Sequence, residues 1–307
     1  MSALLPRPSE IHLTDCSGHR VTSNRLGFVG ESIVDFSSVA GLLYVECLAR
    51  MLVPEATLLR GADFVPELEA KGAIALLDVA IVEMVLDALA GNADISLGCN
   101  ISPRTLADPD AWERVIATIA SMPIPARRLV LEITESAPLS AISDVGRRLS
   151  EAKRLGCRLA IDDFGVGFAV ESEVSHANVD WDIVKIDRSF LIDEGDVPHG
   201  RQLTSLVERA RSLGPVVVVE GIETADQLVM AREAGAHGGQ GRLFEAPMIE
   251  CWSSPDNEKA SQLSCLLMRH GATLQPVQGS PQDFLLSRVD NLGSSVRALA
   301  AQVSEDL

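Results

Sequence analysis

Glu46, Asn100, Glu132 with Glu135, Asp162 with Asp163, Lys185 with Asp187, Glu220 with Glu223, and Gln240 each close or follow a short apolar run. Apart from Lys185, every one offers oxygen acceptors. Adjacent acids such as Asp162 and Asp163 repel unless positive charge stands between them. Brought to one place, these groups form a site for hard divalent cations. Oxygen-only ligands suit Mg2+ or Mn2+, whereas zinc takes Cys or His. None of the six histidines closes such a run in register. Two such ions about 3.5–4 Å apart activate a water and clamp a phosphoryl oxygen for in-line displacement. Lys185, the one cation in the set, can orient the attacking water or stabilise charge on the phosphate. A single acid at a strand end is ordinarily a cap or a solvated rim residue. Asn100 alone is turn chemistry, and Lys185 alone pairs with Asp187. Polar groups closing nearly all the runs from the second onward are not accounted for in that way.

The elements that must position them are legible from about Gly27 to Ile249. Eight apolar runs, "GFVGESIVDF", "LLYVECL", "ISLGCNIS", "RLVLEITES", "RLAIDDFG", "DIVKIDRSF", "PVVVVEGIET" and "HGGQGRLF", alternate with amphipathic helical segments. "LLDVAIVEMVLDALAG" closes on Gly91, "ISDVGRRLSEAKRLG" opens near Ser143 and closes on Gly156, and "TADQLVMAREAG" carries Thr224 and Gln227 in capping-box spacing and stops at Gly235. Strands alternating with helices imply right-handed βαβ units and a parallel sheet. Eight units fit a closed (β/α)8 barrel, whose strand ends converge on one rim. No GxGxxG follows the first strand, which argues against a dinucleotide-binding sheet.

The chain has 307 residues, 47% hydrophobic and 22% charged, a globular composition. A net charge of −17 argues against long nucleic acid or an anionic membrane surface as partner. It leaves room for a small anion held through metal ions. Cys16, Cys47, Cys99, Cys157, Cys251 and Cys265 show no CxxC pairing and read as reduced thiols of a cytoplasmic protein. The N-terminus has no signal-peptide core, and no apolar window is long enough to span a membrane. Three parts are expected: an N-terminal extension over 1–26, the barrel over 27–250, and a C-terminal helical extension over 251–307. In the last, Leu285, Val289, Leu292, Val296, Leu299 and Val303 form a short a/d seam. It is either a helix packed on the barrel or an oligomerisation segment.

Glu46-Cys47-Leu48-Ala49-Arg50 resembles the signature of EAL domains, and "CNIS", "LEITES", "DDFG", "VKIDRSF", "VEGIET" and "QGRLFEAP" resemble that family's later motifs in the same order. The resemblance covers roughly 27–250. It implies a modified TIM barrel with an antiparallel first strand, and hydrolysis of cyclic di-GMP to linear pGpG with two Mg2+ or Mn2+ ions. By resemblance Glu46, Asn100, Glu132 and Asp162 would hold one ion and Asp163 and Glu220 would serve the second, while Lys185 would contact the catalytic water. Arg50 would meet a ligand phosphate, with Glu31 and Asp187 also on the ligand side. Gln240 would stand by the ligand and, with Glu223, support the ions. Glu135 would anchor the loop after Asp163, a feature tied to dimerisation in the family, so a homodimer is expected. A protein partner on the terminal extensions is a further expectation.

The departures are local. Gly30, Glu31 and Ser32 stand where the family carries Tyr-Gln-Pro, so a carboxylate replaces an amide beside a diphosphate ligand. Val166, Gly167, Phe168, Ala169 and Val170 replace a hydroxyl-rich loop, and the Trp and His-Pro usual after Arg50 are absent. Two functions follow: a metal-dependent cyclic di-GMP phosphodiesterase, or a weak or inactive EAL domain that acts as a cyclic di-GMP receptor or protein-interaction regulator.

Overall fold

The computed structural model describes residues 24–38, 41–53, 57–191, 199–244, 249–254 and 257–268. The 1–23 part of the expected extension and the a/d seam at 285–303 lie outside them. The strands are β1 (Arg25–Asp35), β2 (Leu42–Val53), β3 (Thr57–Arg60), β4 (Leu97–Ile101), β5 (Leu129–Ile133), β6 (Arg158–Phe164), β7 (Ile183–Ile186), β8 (Val216–Val219), β9 (Gly238–Gln240) and β10 (Glu250–Trp252). The helices are α1 (Gly61–Ala70), α2 (Ile74–Gly91), α3 (Pro103–Ala107), α4 (Pro109–Ala120), α5 (Pro123–Ala126), α6 (Val145–Arg154), α7 (Glu171–His176), α8 (His199–Leu213), α9 (Ala225–Glu233) and α10 (Glu258–Met268).

The sheet runs β10-β1-β9-β8-β7-β6-β5-β4-β2-β3, and a further β1–β2 pairing closes it into a barrel. All eight runs read from the sequence are barrel strands. β3 and β10 are additions at its margin, β3 beside β2 and β10 beside β1. From β2 through β9 the barrel neighbours run parallel, while β1 is antiparallel to both β2 and β9. This is the modified (β/α)8 barrel with a reversed first strand.

Alternation along the strands sorts the side chains. Leu129, Leu131 and Ile133, Leu159 and Ile161, Val184 and Ile186, and Val217 and Val219 join the large core shared with the surrounding helices. Ile33, Tyr44, Val130, Ala160, Ile183 and Val218 form a second, smaller core. These are the inward positions, and they fill the barrel with a layer of side chains. Two residues further toward the C-terminal rim come Glu46, Glu132, Asp162, Lys185 and Glu220. On the reversed β1 the equivalent residue comes two positions earlier and is Glu31. In β4, Gly98 occupies the lower layer beneath Asn100. A Cβ on Gly98 would stand 2.6 Å from Tyr44 Cε2 and 2.3 Å from Glu132 Oε1, so the bare glycine makes room for both.

The helix punctuation follows the expected chemistry with one shift. Thr224 and Gln227 form the capping box of α9, and Gly235 and Gly156 take left-handed φ of 88° and 102° after α9 and α6. α6 starts at Val145, after Asp144 at φ 57°, and Ser143 does not cap it. α10 is the described part of the expected C-terminal helical extension. It packs on β1, α1 and α2. No described helix is long and apolar enough to cross a membrane.

Candidate active site

At the upper layer Lys185 Nζ lies 2.9 Å from Glu46 Oε2, 2.8 Å from Asp162 Oδ1, 2.7 Å from Glu132 Oε2 and 2.7 Å from Glu220 Oε1. Glu46 Oε1 accepts from Asn100 Nδ2 at 2.8 Å, and its Oε2 accepts from Gln240 Nε2 at 2.8 Å. Strands β2, β4, β5, β6, β7 and β9 and the residue after β8 therefore deliver Glu46, Asn100, Glu132, Asp162, Lys185, Gln240 and Glu220 to one spot. The side chain of Lys185 is 1% exposed, that of Glu46 5% and that of Glu132 0%. This is a desolvated site and not a wet rim.

Asp162 and Asp163 reach this place by different means. Asp162 points inward by alternation. Asp163 would point outward, but its φ of 50° and the β6–β7 register shift between Ile161 and Phe164 turn the chain there. Oxygens of Glu135, Asp162 and Asp163 consequently lie within 4.8 Å of one another. A left-handed φ at a non-glycine residue is strained and is found where the surroundings enforce it.

One ammonium cannot neutralise this many carboxylates. Burial opposes the Lys185 charge, yet Asp162, Glu132, Glu220 and Glu46 hold its pKa well above the usual lysine range. Burial also pushes Glu46 up, but Lys185, Gln240 and Asn100 outweigh it and hold that carboxyl low. Glu132 is pushed up to about 8 by burial and the Glu46 charge. Burial drives Glu220 well above the carboxylate range. Asp163 rises to about 7 through burial and the nearby Asp162, Glu135 and Asp187. Surplus negative charge is thus carried as protons unless cations replace them.

The residues fit hard divalent cations. Asn100 Oδ1, Glu132 Oε1 and Gln240 Oε1 are buried acceptors with no hydrogen-bond donor. Glu132 Oε2 and Glu220 Oε1 are each met by the Lys185 ammonium alone, at 2.7 Å. Unsatisfied oxygens this deep are costly, and a cation satisfies them directly.

The remaining expected residues surround this centre at different depths. Glu31 pairs in register with Glu46 across β1 and β2, and burial and the Glu46 charge raise its pKa. The Arg50 guanidinium Nη1 donates to Ala49 O at 2.9 Å and Leu48 O at 3.3 Å on its own strand. Gln240, expected beside the ligand, is buried and spends its amide N–H on Glu46. Asp187 follows β7 and accepts from Ser189 N at 2.9 Å. Glu223 is on the exposed rim, paired with Arg242. Glu135, expected to anchor the loop after Asp163, accepts at its carbonyl from Phe168 N in that loop at 3.3 Å. Its carboxylate turns toward Asp162 and Asp163. Tyr44 and Gly98, absent from the residues singled out by sequence, lie directly below Glu132. Their signal was the two-residue step back from Glu46 and Asn100.

The EAL domain family model matches residues 19–247, three quarters of the chain. The chain belongs to the EAL domain family. Among its relatives, a cyclic di-GMP phosphodiesterase of Pseudomonas aeruginosa is 31% identical over 210 residues, 67% of this chain and 35% of that protein. The cyclic di-GMP phosphodiesterase RocR of the same organism is 29% identical over 218 residues, 68% of this chain and 54% of RocR. In fold the chain is similar to the phosphodiesterase PaMucR in its cyclic di-GMP complex, with a TM-score of 0.60 at 24% identity over 73% of this chain and 96% of that one. The chain spans 35% and 54% of the length of these two curated relatives.

Proposed function

We propose that the chain hydrolyses cyclic di-GMP to linear pGpG by in-line attack of a water on one phosphodiester, with two Mg2+ or Mn2+ ions. The observation that carries this is the convergence of Glu46, Glu132, Asp162 and Glu220 within 2.9 Å of Lys185 Nζ, with buried oxygens left unsatisfied around them. The named phosphodiesterases among the relatives support the same reading. Glu46, Asn100, Glu132 and Asp162 would hold one ion, and Asp163 and Glu220 the other. When bound, the ions supply a water of lowered pKa and neutralise charge on the phosphoryl oxygens.

The rest is the work of the chain. Glu46 accepts from Asn100 at Oε1 and from Lys185 and Gln240 at Oε2, so three donors fix its orientation. Four carboxylate neighbours favour the charged form of Lys185, and that ammonium would orient the attacking water. The apolar layer of Tyr44, Val130, Ala160, Ile183 and Val218 closes the site from below and excludes water from that side. Asp187 and Glu223 stand at the rim, where a ligand enters.

A second reading, a cyclic di-GMP receptor or protein-interaction regulator with little turnover, is favoured by Glu31. This carboxylate faces Glu46 across the β1–β2 ladder and adds charge where an anionic ligand would lie. Incubating the purified chain with cyclic di-GMP and Mn2+ and resolving the products by chromatography separates the two. Appearance of pGpG is expected, with loss of at least about 100-fold in rate for Glu46→Ala while the fold persists. Saturable binding without product would favour the receptor, and full activity in Glu46→Ala would contradict the assignment. The cytoplasm is the proposed location, and homodimerisation is proposed alongside.

A further inference from the structure

Outside the cation site a second polar cluster joins four elements. Glu69, near the end of α1, accepts at Oε1 from Ser102 Oγ at 2.6 Å and from Ser136 Oγ at 2.7 Å. Asp78, on α2, accepts at Oδ2 from Ser102 N at 3.0 Å and Thr105 Oγ1 at 2.5 Å. Ser102 Oγ also accepts from Arg104 N at 3.2 Å and so caps α3. Ser102 is 4% exposed, Asp78 5% and Thr105 0%, so the Asp78 bonds are interior, and the Glu69 bonds are part-buried.

The position of the two serines gives the cluster its meaning. The β4–β5 ladder ends at the pair Ile101 and Ile133. Beyond it both chains leave the sheet, and Ser102 and Ser136 are the points at which Glu69 ties them together. Ser102 is two residues past Asn100. Ser136 follows Glu135, whose carbonyl receives Phe168 N at 3.3 Å and against whose side chain Gly167 passes at φ 53°. A Cβ on Gly167 would stand 2.7 Å from Glu135 Cγ. A continuous path therefore runs from Glu69 through Ser136 and Glu135 into the loop that follows Asp163. Ladder pairing and buried Leu131, Ile133 and Ile101 already secure the strands themselves. What Glu69 adds is the placement of their exits.

We infer that Glu69 is a positioning residue: one carboxylate oxygen clamps the exits of β4 and β5 and thereby fixes Asn100, Glu135 and the loop after Asp163 around the cation site. The inference rests on the cation reading of that site. Its own geometry does not depend on an ion. A single acceptor oxygen receives both hydroxyls, so Gln at this position can keep the clamp and Ala cannot.

The test compares Glu69→Ala, Glu69→Gln and the parent chain in two measurements. Without added metal, amide hydrogen exchange is followed at Arg104 and Phe168, with Leu131 and Ile161 as ladder controls. Mn2+ affinity is then measured by titration calorimetry. Glu69→Ala is expected to speed exchange at Arg104 and Phe168 at least about tenfold with the ladder amides unchanged, and to weaken Mn2+ about tenfold. Glu69→Gln is expected to restore both to within about twofold of the parent. Should Glu69→Ala fail to fold, Ser136→Ala removes one arm alone and must reproduce the change at Phe168. Unchanged exchange at both amides in a folded Glu69→Ala overturns the clamp, and so does unchanged Mn2+ affinity where the parent binds the ion. A parent that takes up no Mn2+ refutes the cation reading, and the exchange result still decides the clamp.

Discussion

Lys185 is enclosed by Glu46, Glu132, Asp162 and Glu220, and its side chain is 1% exposed. Removing its charge leaves the carboxylates facing one another in a desolvated space. Lys185→Met should cost about 3–5 kcal/mol of stability without divalent ions, the range for stranding a buried partner charge. Saturating Mn2+ should return much of that loss, because the ion takes over the neutralising role. Urea denaturation of parent and variant, each with and without Mn2+, measures both effects. A loss that Mn2+ does not relieve would mean that the oxygens around Lys185 serve the lysine alone. Glu31 provides the second residue-scale prediction. It opposes Glu46 across the ladder, and burial and that neighbour raise its pKa. Glu31→Gln should tighten cyclic di-GMP binding about 3- to 10-fold, since it removes like charge from the path of an anionic ligand. Calorimetric titration checks this, and unchanged or weaker affinity would show that the Glu31 carboxylate is used as an acceptor.

At the scale of elements, α2 carries Asp78 among buried apolar neighbours on all sides of the helix, including Leu77, Val79, Ile81 and Val82. Burial pushes its carboxyl from 3.8 up to about 7 despite the bonds from Thr105 and Ser102. Between those values the folded chain keeps a proton that the unfolded chain has released, so this group's contribution to stability falls as pH rises from about 4 to about 7 and is level above. Asp78→Asn removes that slope. The melting temperature of the variant relative to the parent should climb across that window, and a difference that does not change with pH would contradict the account. The elements also mark how far the sequence could be read. The barrel strands were legible because apolar runs such as Leu129–Ile133 and Val216–Val219 end in polar residues. β3 and β10 were not, since four and three residues with no alternation of their own pair only at the margin of the sheet. The oxygen set at the strand ends was legible as a list. That Lys185 lies at its centre was not, because the contact with Glu46 spans 139 residues and depends on barrel closure. Asp163 could be placed only once its left-handed φ of 50° was known. The Glu69 clamp joins a helix to strand exits and leaves no periodic trace.

The whole barrel depends on a reversed β1, and this explains the placement of β10 and α10. β1 and β2 form an antiparallel pair, so no crossover helix lies between them to cover β1. β10 extends the sheet beside β1, and the Trp252 ring fills the space over Gly27, where a Cβ would come within 2.4 Å of it. α10 then covers β1 with buried Ala260, Leu263 and Leu267, and Lys71 Nζ donates to Leu266 O at 2.7 Å. A chain cut after Ile249 should lose about 3–6 kcal/mol from Leu263 and Leu267 alone. Urea denaturation tests this, and unchanged stability would mark α10 as an appendage. The family match ends at residue 247, so this cover lies outside it. What the closed barrel accomplishes is to set oxygens from six places in the chain beside the Lys185 ammonium in a protein of net charge −17. Counting Mn2+ bound per chain by titration calorimetry, with Glu132→Gln beside the parent, tests that most directly. The parent should bind two ions and the variant fewer, or with affinity lower by at least about tenfold. A parent that binds none, or a variant that binds as the parent does, would contradict it.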